Sequence, residues 1–270
     1  VENRTVKSGK AGPGFRLPVP APGLYVLDVR GRGCRPLQVP VLLDEQGIKG
    51  LVLTPAPEKA QGEATPSPDP KYAKLASLFA AQQAREAAYR KAVKDRIAAK
   101  KGGTAGTGPL DWTSDLTALA ADLTQEADPD VQALAAACYL ELHMMMADID
   151  PETASLALDK LPAESPWWAF NPRSARGGFT AAGRGEAWSA FIEALAQGNP
   201  DKEVRAYGVY SQAAAAYRKG DRGKFDPLAK ALATDYKNTK FGRSAKVFDP
   251  AKMPPPSATE EPNPEEAPEP

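Results

Sequence analysis

Hydrophobic positions near the N-terminus alternate with polar ones, and the helical spacing of 3.6 residues takes over later in the chain. A period of two runs through 25–29 and again through 37–41, with glycines at 31 and 33 between them. This pattern predicts two paired strands joined by a turn, and Leu51 and Leu53 suggest one more strand. We therefore predict a small β-sandwich-like module over residues 15–54. The positions that share a strand face are Tyr25, Leu27, Val29, Leu37, Val39 and Val41.

A long amphipathic helix is predicted from Lys71 to Lys101. Its other faces carry Lys, Arg and Gln, and glycines at 102–108 end it. Further helices are expected to begin at Asp128-Pro129, Asp150-Pro151 and Pro200-Asp201, because proline is favoured just inside a helix start. The apolar stripe of the long helix consists of Leu75, Leu78, Phe79, Tyr89, Val93 and Ile97.

The segment from Val204 to Lys246 has the pattern of a helical hairpin. An amphipathic helix leads to Gly220-Asp221, and a second amphipathic helix follows. This pattern resembles a tetratricopeptide-type unit. An Asp-Pro-Asp start at 128–130 and an Asn-Pro-Asp start at 199–201 lie about 70 residues apart, as in two diverged repeats. We predict a helical-repeat, tetratricopeptide-like domain over 71–246, and an α+β, mainly α, fold class for the whole chain.

Composition sets the remaining boundaries. Residues 1–14 are polar and glycine-rich, which predicts a flexible start, and the prolines of 55–70 predict an extended linker. Residues 254–270 contain seven prolines, five glutamates and no basic residue. Such a composition does not form a packed core, so a disordered acidic tail is expected over 247–270.

The charge balance narrows the classes of partner. The 34 basic and 34 acidic residues cancel, whereas phosphate binding needs a basic excess, so nucleic acid is not an expected partner. No apolar run approaches the roughly 20 residues of a membrane-spanning helix. The first residue is Val1 and not methionine, which we interpret as removal of a signal peptide or as part of a longer chain.

The densest aromatic and basic segment is the candidate binding site. As a contact surface it would stack on another protein or a ligand; as a structural plug it would fill the junction between two helical repeats. We expect Trp167, directly after Pro166, to be buried, and Trp168 to be partly exposed beside Arg173. The candidate residues are Trp167, Trp168, Phe170, Arg173 and Arg176.

No catalytic, metal or cofactor site is predicted. His143, the single histidine, lies beside Met144 and its neighbours, and sulfur and imidazole ligands could hold copper(I). However, Cys138 and His143 are about 140° apart around a helix and do not share a face. Methionines at the end of an apolar helix usually fill a core. We therefore predict a protein that is not an enzyme and has no cofactor.

Two further resemblances suggest a cellular context. The run Pro22 to Tyr25, followed by Arg30-Gly31 and Cys34 to Leu37, resembles the hairpin of carboxypeptidase-regulatory-like β-sandwiches. The order of hairpin, linker, long helix, Asp111 to Leu116, Glu164 to Trp167 and the Gly-Asp hairpin resembles the accessory region upstream of the thioredoxin domain in TlpA-type bacterial envelope proteins.

This resemblance implies a periplasmic or secreted location, with the signal peptide removed, and another protein as partner. The chain contains no Cys-x-x-Cys, so the redox activity of that family does not carry over. The resulting hypothesis is a non-enzymatic interaction or scaffold protein of the bacterial cell envelope. The alternative is an accessory domain of a thioredoxin-like disulfide oxidoreductase system that lacks its own redox motif.

Overall fold

The structure, a computed structural model, has two strands followed by nine α-helices in its described part, which confirms the α+β, mainly α, class. The predicted start at 1–14 and the strand near Leu51 and Leu53 lie outside the described residues. So do Cys34 and the linker up to residue 69. The described residues are 22–30, 36–43, 70–102, 110–145 and 147–255. They fall into two compact units, Val1–Trp188 and Ser189–Pro270.

The two predicted strands form an antiparallel hairpin. Strand β1 (Gly23–Val29) pairs with β2 (Leu37–Leu43), with Leu27 opposite Val39. The alternation places Val39 and its neighbour Val41 in a small buried cluster with Ala76 of the first helix. Two strands alone bury too little apolar surface to be stable in water. The hairpin therefore depends on the helix for its hydrophobic core.

The first unit is built around a central helix. The helices are α1 (Pro70–Gly102), α2 (Thr113–Gln125), α3 (Pro129–Met144), α4 (Pro151–Asp159) and α5 (Ser174–Ala181). Residues 133–142 of α3 are all buried, and the neighbouring helices contact α3 on several sides. A helix that is buried all round is the core of its domain.

Local side-chain chemistry fixes the predicted helix starts. The Asp128 carboxylate accepts hydrogen bonds from the backbone N–H groups of Asp130, at 2.9 Å, and Val131, at 3.2 Å. Asp150 accepts from the N–H of Thr153 at 2.7 Å. Each carboxylate satisfies N–H groups that have no partner within the helix. The predicted starts of α3 and α4 are therefore confirmed.

The second unit contains most of α6 (Trp188–Gly198), then α7 (Lys202–Lys219), α8 (Arg222–Thr234) and α9 (Lys240–Ser244). Asp201 caps α7, and Gly220 ends it with a φ of +68°, a left-handed conformation that glycine adopts without strain. Asp221 then caps α8. The predicted hairpin with a Gly-Asp turn is thus present.

The segment predicted as a disordered tail, 247–270, is packed at its start in the structure. Phe248 and Met253 pack against the buried cluster of the second unit, so the chain is still part of the fold there. An aromatic side chain can anchor a proline-rich segment that has no core of its own. Residues 256–270 lie outside the described part of the chain.

Candidate functional site

The two tryptophans of the predicted binding segment both lie in the core. Trp167 is 2% exposed, as expected, but the expected partial exposure of Trp168 is wrong, because that side chain is 0% exposed. A short 3-10 helix, Pro166–Ala169, turns both indoles inward. The Trp168 indole N–H donates to the carbonyl of Pro162 at 3.0 Å. Neither ring is available for stacking on a ligand at the surface.

The contacts of Trp167 and Phe170 join separate helices. The Trp167 indole N–H donates to a carboxylate oxygen of Asp130 in α3 at 3.2 Å. Its ring stacks on Phe170, with centroids 5.7 Å apart and planes inclined by 20°. Phe170 in turn lies 5.4 Å from the ring of Phe79 in α1. This part of the segment therefore fills the junction between α1 and α3.

The two arginines of the predicted site lie at the surface, whereas the rings of Trp167 and Trp168 are buried. Arg173 is the N-terminal flanking residue of α5, Arg176 lies within that helix, and both are exposed. The structure brings Trp167 and Phe170 together but does not assemble all five residues into one exposed patch.

A buried polar network lies next to this junction. Glu141 of α3 accepts hydrogen bonds from the side-chain amides of Gln82 in α1 and Asn171, the latter at 2.9 Å. The Gln82 amide oxygen is itself held by Arg85, whose guanidinium also binds Asp115 of α2 at 2.8 Å. The network links α1, α2, α3 and the loop before α5.

Burial makes the carboxyl group of Glu141 a weaker acid than an exposed glutamate. Removal of its carboxylate from water raises the pKa to about 7, and the hydrogen bond from Asn171 acts in the opposite direction. The group can thus hold or release a proton near neutral pH. Gln82 occupies one carboxylate oxygen and Asn171 the other, so the carboxylate is committed to bonds within the protein.

The sulfur and imidazole groups near the end of α3 have different surroundings. Cys138 is buried, and the loss of hydration raises the pKa of its thiol to about 12. A thiol with that pKa is not a nucleophile at neutral pH. The His143 ring lies so close to Gly177 of α5 that a Cβ there would be 2.5 Å from ring atom Cδ2. Met144, in contrast, is exposed.

The structure leaves part of the surface of α1 open to solvent, and this surface is not among the sites predicted from the sequence. The last buried residue of this 33-residue helix is Ala92. Ile97, the last residue of the predicted apolar stripe, is 52% exposed, so the stripe is not buried along its whole length. At 1.5 Å per residue α1 spans about 50 Å, whereas its neighbours α2 and α3 span about 20 and 24 Å. These neighbours are too short to cover all of α1.

Positive charge surrounds the exposed isoleucine. Arg90, Lys94, Ile97 and Lys101 are all exposed, and their spacings of four, three and four residues place them on one side of the helix. We call these four residues the basic face. The signal in the sequence is the charge of residues 90–101, which have six basic residues and one acidic residue in a chain of net charge zero. The basic residues are Arg90, Lys91, Lys94, Arg96, Lys100 and Lys101.

Two side-chain pairs and the helix dipole support this end of α1. Arg90 pairs with Glu86 at 2.5 Å and Lys91 with Asp95 at 2.7 Å, each one helical turn apart. Lys100 and Lys101 lie in the last turn, where positive charge interacts favourably with the helix dipole. These interactions stabilise the helical conformation of this end of α1.

Comparison of the chain with family models, with curated proteins and with solved structures found no match. Among the helices that the structure describes, none combines the length and the apolar character needed to cross a membrane.

Proposed function

We propose that this chain is a non-enzymatic helical scaffold of the bacterial cell envelope and that its basic face binds another protein. The observation that carries the proposal is the exposure of Ile97, at 52%, between positively charged neighbours on a stretch of helix that contains no fully buried residue. Protein interfaces combine an apolar centre with a polar rim, and the basic face has this arrangement. The partner surface would be acidic around an apolar contact.

Three features support a scaffold over an enzyme. The indoles of Trp167 and Trp168 are part of the core, the Cys138 thiol is buried, and the Glu141 carboxylate is bound by two protein amides. These groups contribute to packing and to hydrogen bonds between helices. The surface that remains is suited to recognition.

The envelope location rests on the resemblance to TlpA-type accessory regions, and a tetratricopeptide-like hairpin is consistent with the packing of the second unit. Gly208 of α7 is so close to α6 that a Cβ there would lie 2.8 Å from the backbone of Ala196. Small residues at a helix crossing allow such close approach. In the alternative, an accessory role beside a thioredoxin-like partner, the inert Cys138 would leave all redox chemistry to that partner.

Capture experiments with charge-reversed variants test the proposal. Tagged wild-type chain and the Lys94→Glu/Lys101→Glu variant would each be used to capture proteins from envelope extracts of the producing bacterium. The matched control is Lys230→Glu/Lys237→Glu, which makes the same charge change at exposed positions of the second unit. We expect wild type and control to retain a common protein that the first variant loses at least tenfold. Equal retention by all three would contradict the proposal.

A further inference from the structure

Four exposed basic side chains surround the turn between α7 and α8. Arg218 and Lys219 belong to the last turn of α7, and Arg222 and Lys224 belong to the first turn of α8. We call these four residues the basic turn. Asp221 is the acidic residue among them; its carboxylate caps α8 and lies 3.6 Å from the Lys224 ammonium group. The turn therefore presents an excess of positive charge at the surface.

The described part of the chain ends against this turn. The backbone of Pro254 and Pro255 lies so close to Gly220 that a Cβ placed on Gly220 would be 2.6 Å from the carbonyl oxygen of Pro255. Gly220 is at the centre of the basic turn, within four residues of each of its basic side chains. The residues that follow Pro255 therefore begin beside the basic turn.

The path of the chain up to this point is fixed by packing and by hydrogen bonds. Phe248 and Met253 pack against the buried cluster of the second unit, and Pro250–Lys252 form a 3-10 turn. The guanidinium of Arg222 donates to the carbonyl oxygen of Pro250 at 2.8 Å. A member of the basic turn thus helps to hold the segment that leads to residue 256.

Charge in the second unit is divided between its helical part and the segment that follows. Residues 189–255 contain 12 basic and seven acidic residues, which is an excess of five positive charges. Residues 256–270 contain five glutamates and no basic residue. The two parts of the unit therefore carry equal and opposite net charge.

The first glutamates are close enough along the chain to reach the basic turn. Glu260 and Glu261 follow Pro255 by five and six residues, so an extended backbone spans up to about 17 and 20 Å to them. The Cα atoms of the basic turn lie at most about 15 Å from the Cα of Gly220, because consecutive Cα atoms are about 3.8 Å apart. Chain length therefore permits contact between these carboxylates and the basic side chains.

We propose that the acidic segment 256–270 docks on the basic turn of its own chain. Each pair of a glutamate and a surface cation is weak, but several pairs act together at a high local concentration when the segment is already attached beside the turn. The docked segment would close the basic turn to other acidic ligands. The basic turn belongs to the second unit and is distinct from the basic face of α1, so this proposal does not depend on the proposed function.

Zero-length crosslinking of the full chain tests the proposal. A water-soluble carbodiimide joins a glutamate carboxylate to the Nζ of a lysine in contact with it; an amide bond forms, and the carbodiimide takes up the lost water to become a urea. All five glutamates lie on the tryptic peptide that begins at Met253, because no Lys or Arg follows Lys252 up to residue 270. We expect mass spectrometry to find this peptide joined to Lys219 or Lys224. The yield should fall about fivefold or more when the salt concentration is raised from about 0.05 to 0.5 M, because salt screens exposed charges.

Matched charge reversals separate docking from attachment alone. Arg218→Glu leaves both reactive lysines in place and should lower the crosslinking yield about threefold or more, because a repulsion replaces an attraction. Lys237→Glu makes the same charge change at an exposed position about 20 Å away along α8, and should change the yield by less than about 1.5-fold. Circular dichroism of each chain controls for folding. If Arg218→Glu loses its helicity, Arg218→Gln takes its place, and the salt comparison needs no variant.

The proposal is overturned if no such crosslink forms, if salt leaves the yield unchanged, or if the two charge reversals lower it equally. It is also overturned if the peptide is joined mainly to lysines of α1. A mixture of nitrogen-15-labelled and unlabelled chains shows which copy is crosslinked. Crosslinked pairs that combine both isotopes would place the segment on a second copy and would overturn docking within one chain.

Discussion

The buried carboxyl of Glu141 should make the stability of the first unit depend on pH. Its pKa is raised in the folded state, from 4.5 to about 7, because the carboxylate loses its hydration. The folded protein therefore holds the proton at pH values where the unfolded chain has released it. The stabilisation is fully present below about pH 4.5 and is lost as the pH rises to about 7.

The size of the effect follows from the shift. Each pKa unit corresponds to about 1.4 kcal/mol, so a rise from 4.5 to about 7 is equivalent to roughly 3 kcal/mol of unfolding free energy. The amides of Gln82 and Asn171 act against this loss, because they donate to the ionised carboxylate. The experiment therefore measures which effect on the pKa of Glu141 is larger, the loss of hydration or the hydrogen bonds from the two amides.

Urea unfolding followed by tryptophan fluorescence is the appropriate assay. All four tryptophans lie in the first unit, Val1–Trp188, so the signal reports on that unit. The unfolding free energies of wild type and Glu141→Gln would be measured from pH 4.5 to 8. Other titrating groups contribute equally to both proteins, so the difference between the two values isolates the contribution of Glu141. We expect wild type to lose roughly 3 kcal/mol relative to the variant between pH 4.5 and 7.5.

The reasoning would be refuted if the difference in unfolding free energy between wild type and Glu141→Gln stayed constant from pH 4.5 to 8. A difference in the opposite direction, with wild type gaining stability as the pH rises, would mean that Gln82 and Asn171 hold the carboxylate ionised and lower its pKa. Carbon-13 NMR of the Glu141 carboxyl would then give a titration midpoint below 4.5.

Two further predictions concern packing. Trp168→Ala should lower the free energy of unfolding by about 3–5 kcal/mol in the same fluorescence assay, because a fully buried indole is removed. The exposed control Arg176→Ala should change it by less than about 0.5 kcal/mol. Similar losses of unfolding free energy for both variants would argue against the buried position of Trp168. Gly208→Ala should destabilise the second unit by about 1–3 kcal/mol through its clash with Ala196, as measured by thermal circular dichroism. Gly223→Ala, which meets only a side-chain atom at 3.5 Å, should raise the melting temperature, and the opposite order would contradict the packing.

The sequence predicted those parts of the fold that depend on local chemistry. Asp128, Asp150 and Asp201 each cap a helix through hydrogen bonds to N–H groups two or three residues ahead, so the sequence alone indicates where those helices begin. The strands were predictable in the same way, because the apolar residues Val39, Val41 and Leu43 recur at every second position and are all buried.

The errors concern contacts between residues that are distant in sequence. Trp168 is buried because the short 3-10 helix Pro166–Ala169 packs against α3, a contact that no local pattern specifies. Ile97 is exposed because α1 is longer than the helices beside it, although its spacing suits a buried stripe. Phe248 packs on α7 and α8 despite the proline-rich composition around it. In each case the outcome depends on the lengths and positions of other elements.

Site-specific photocrosslinking at position 97 tests the scaffold proposal most directly. A photoreactive phenylalanine analogue would replace Ile97 in living cells, with Ser77, an exposed residue of the same helix, as the control position. The proposal predicts a single major protein adduct from position 97, none from position 77, and loss of the adduct when Lys94→Glu and Lys101→Glu are added. No adduct at position 97, or equal adducts at both positions, would contradict it.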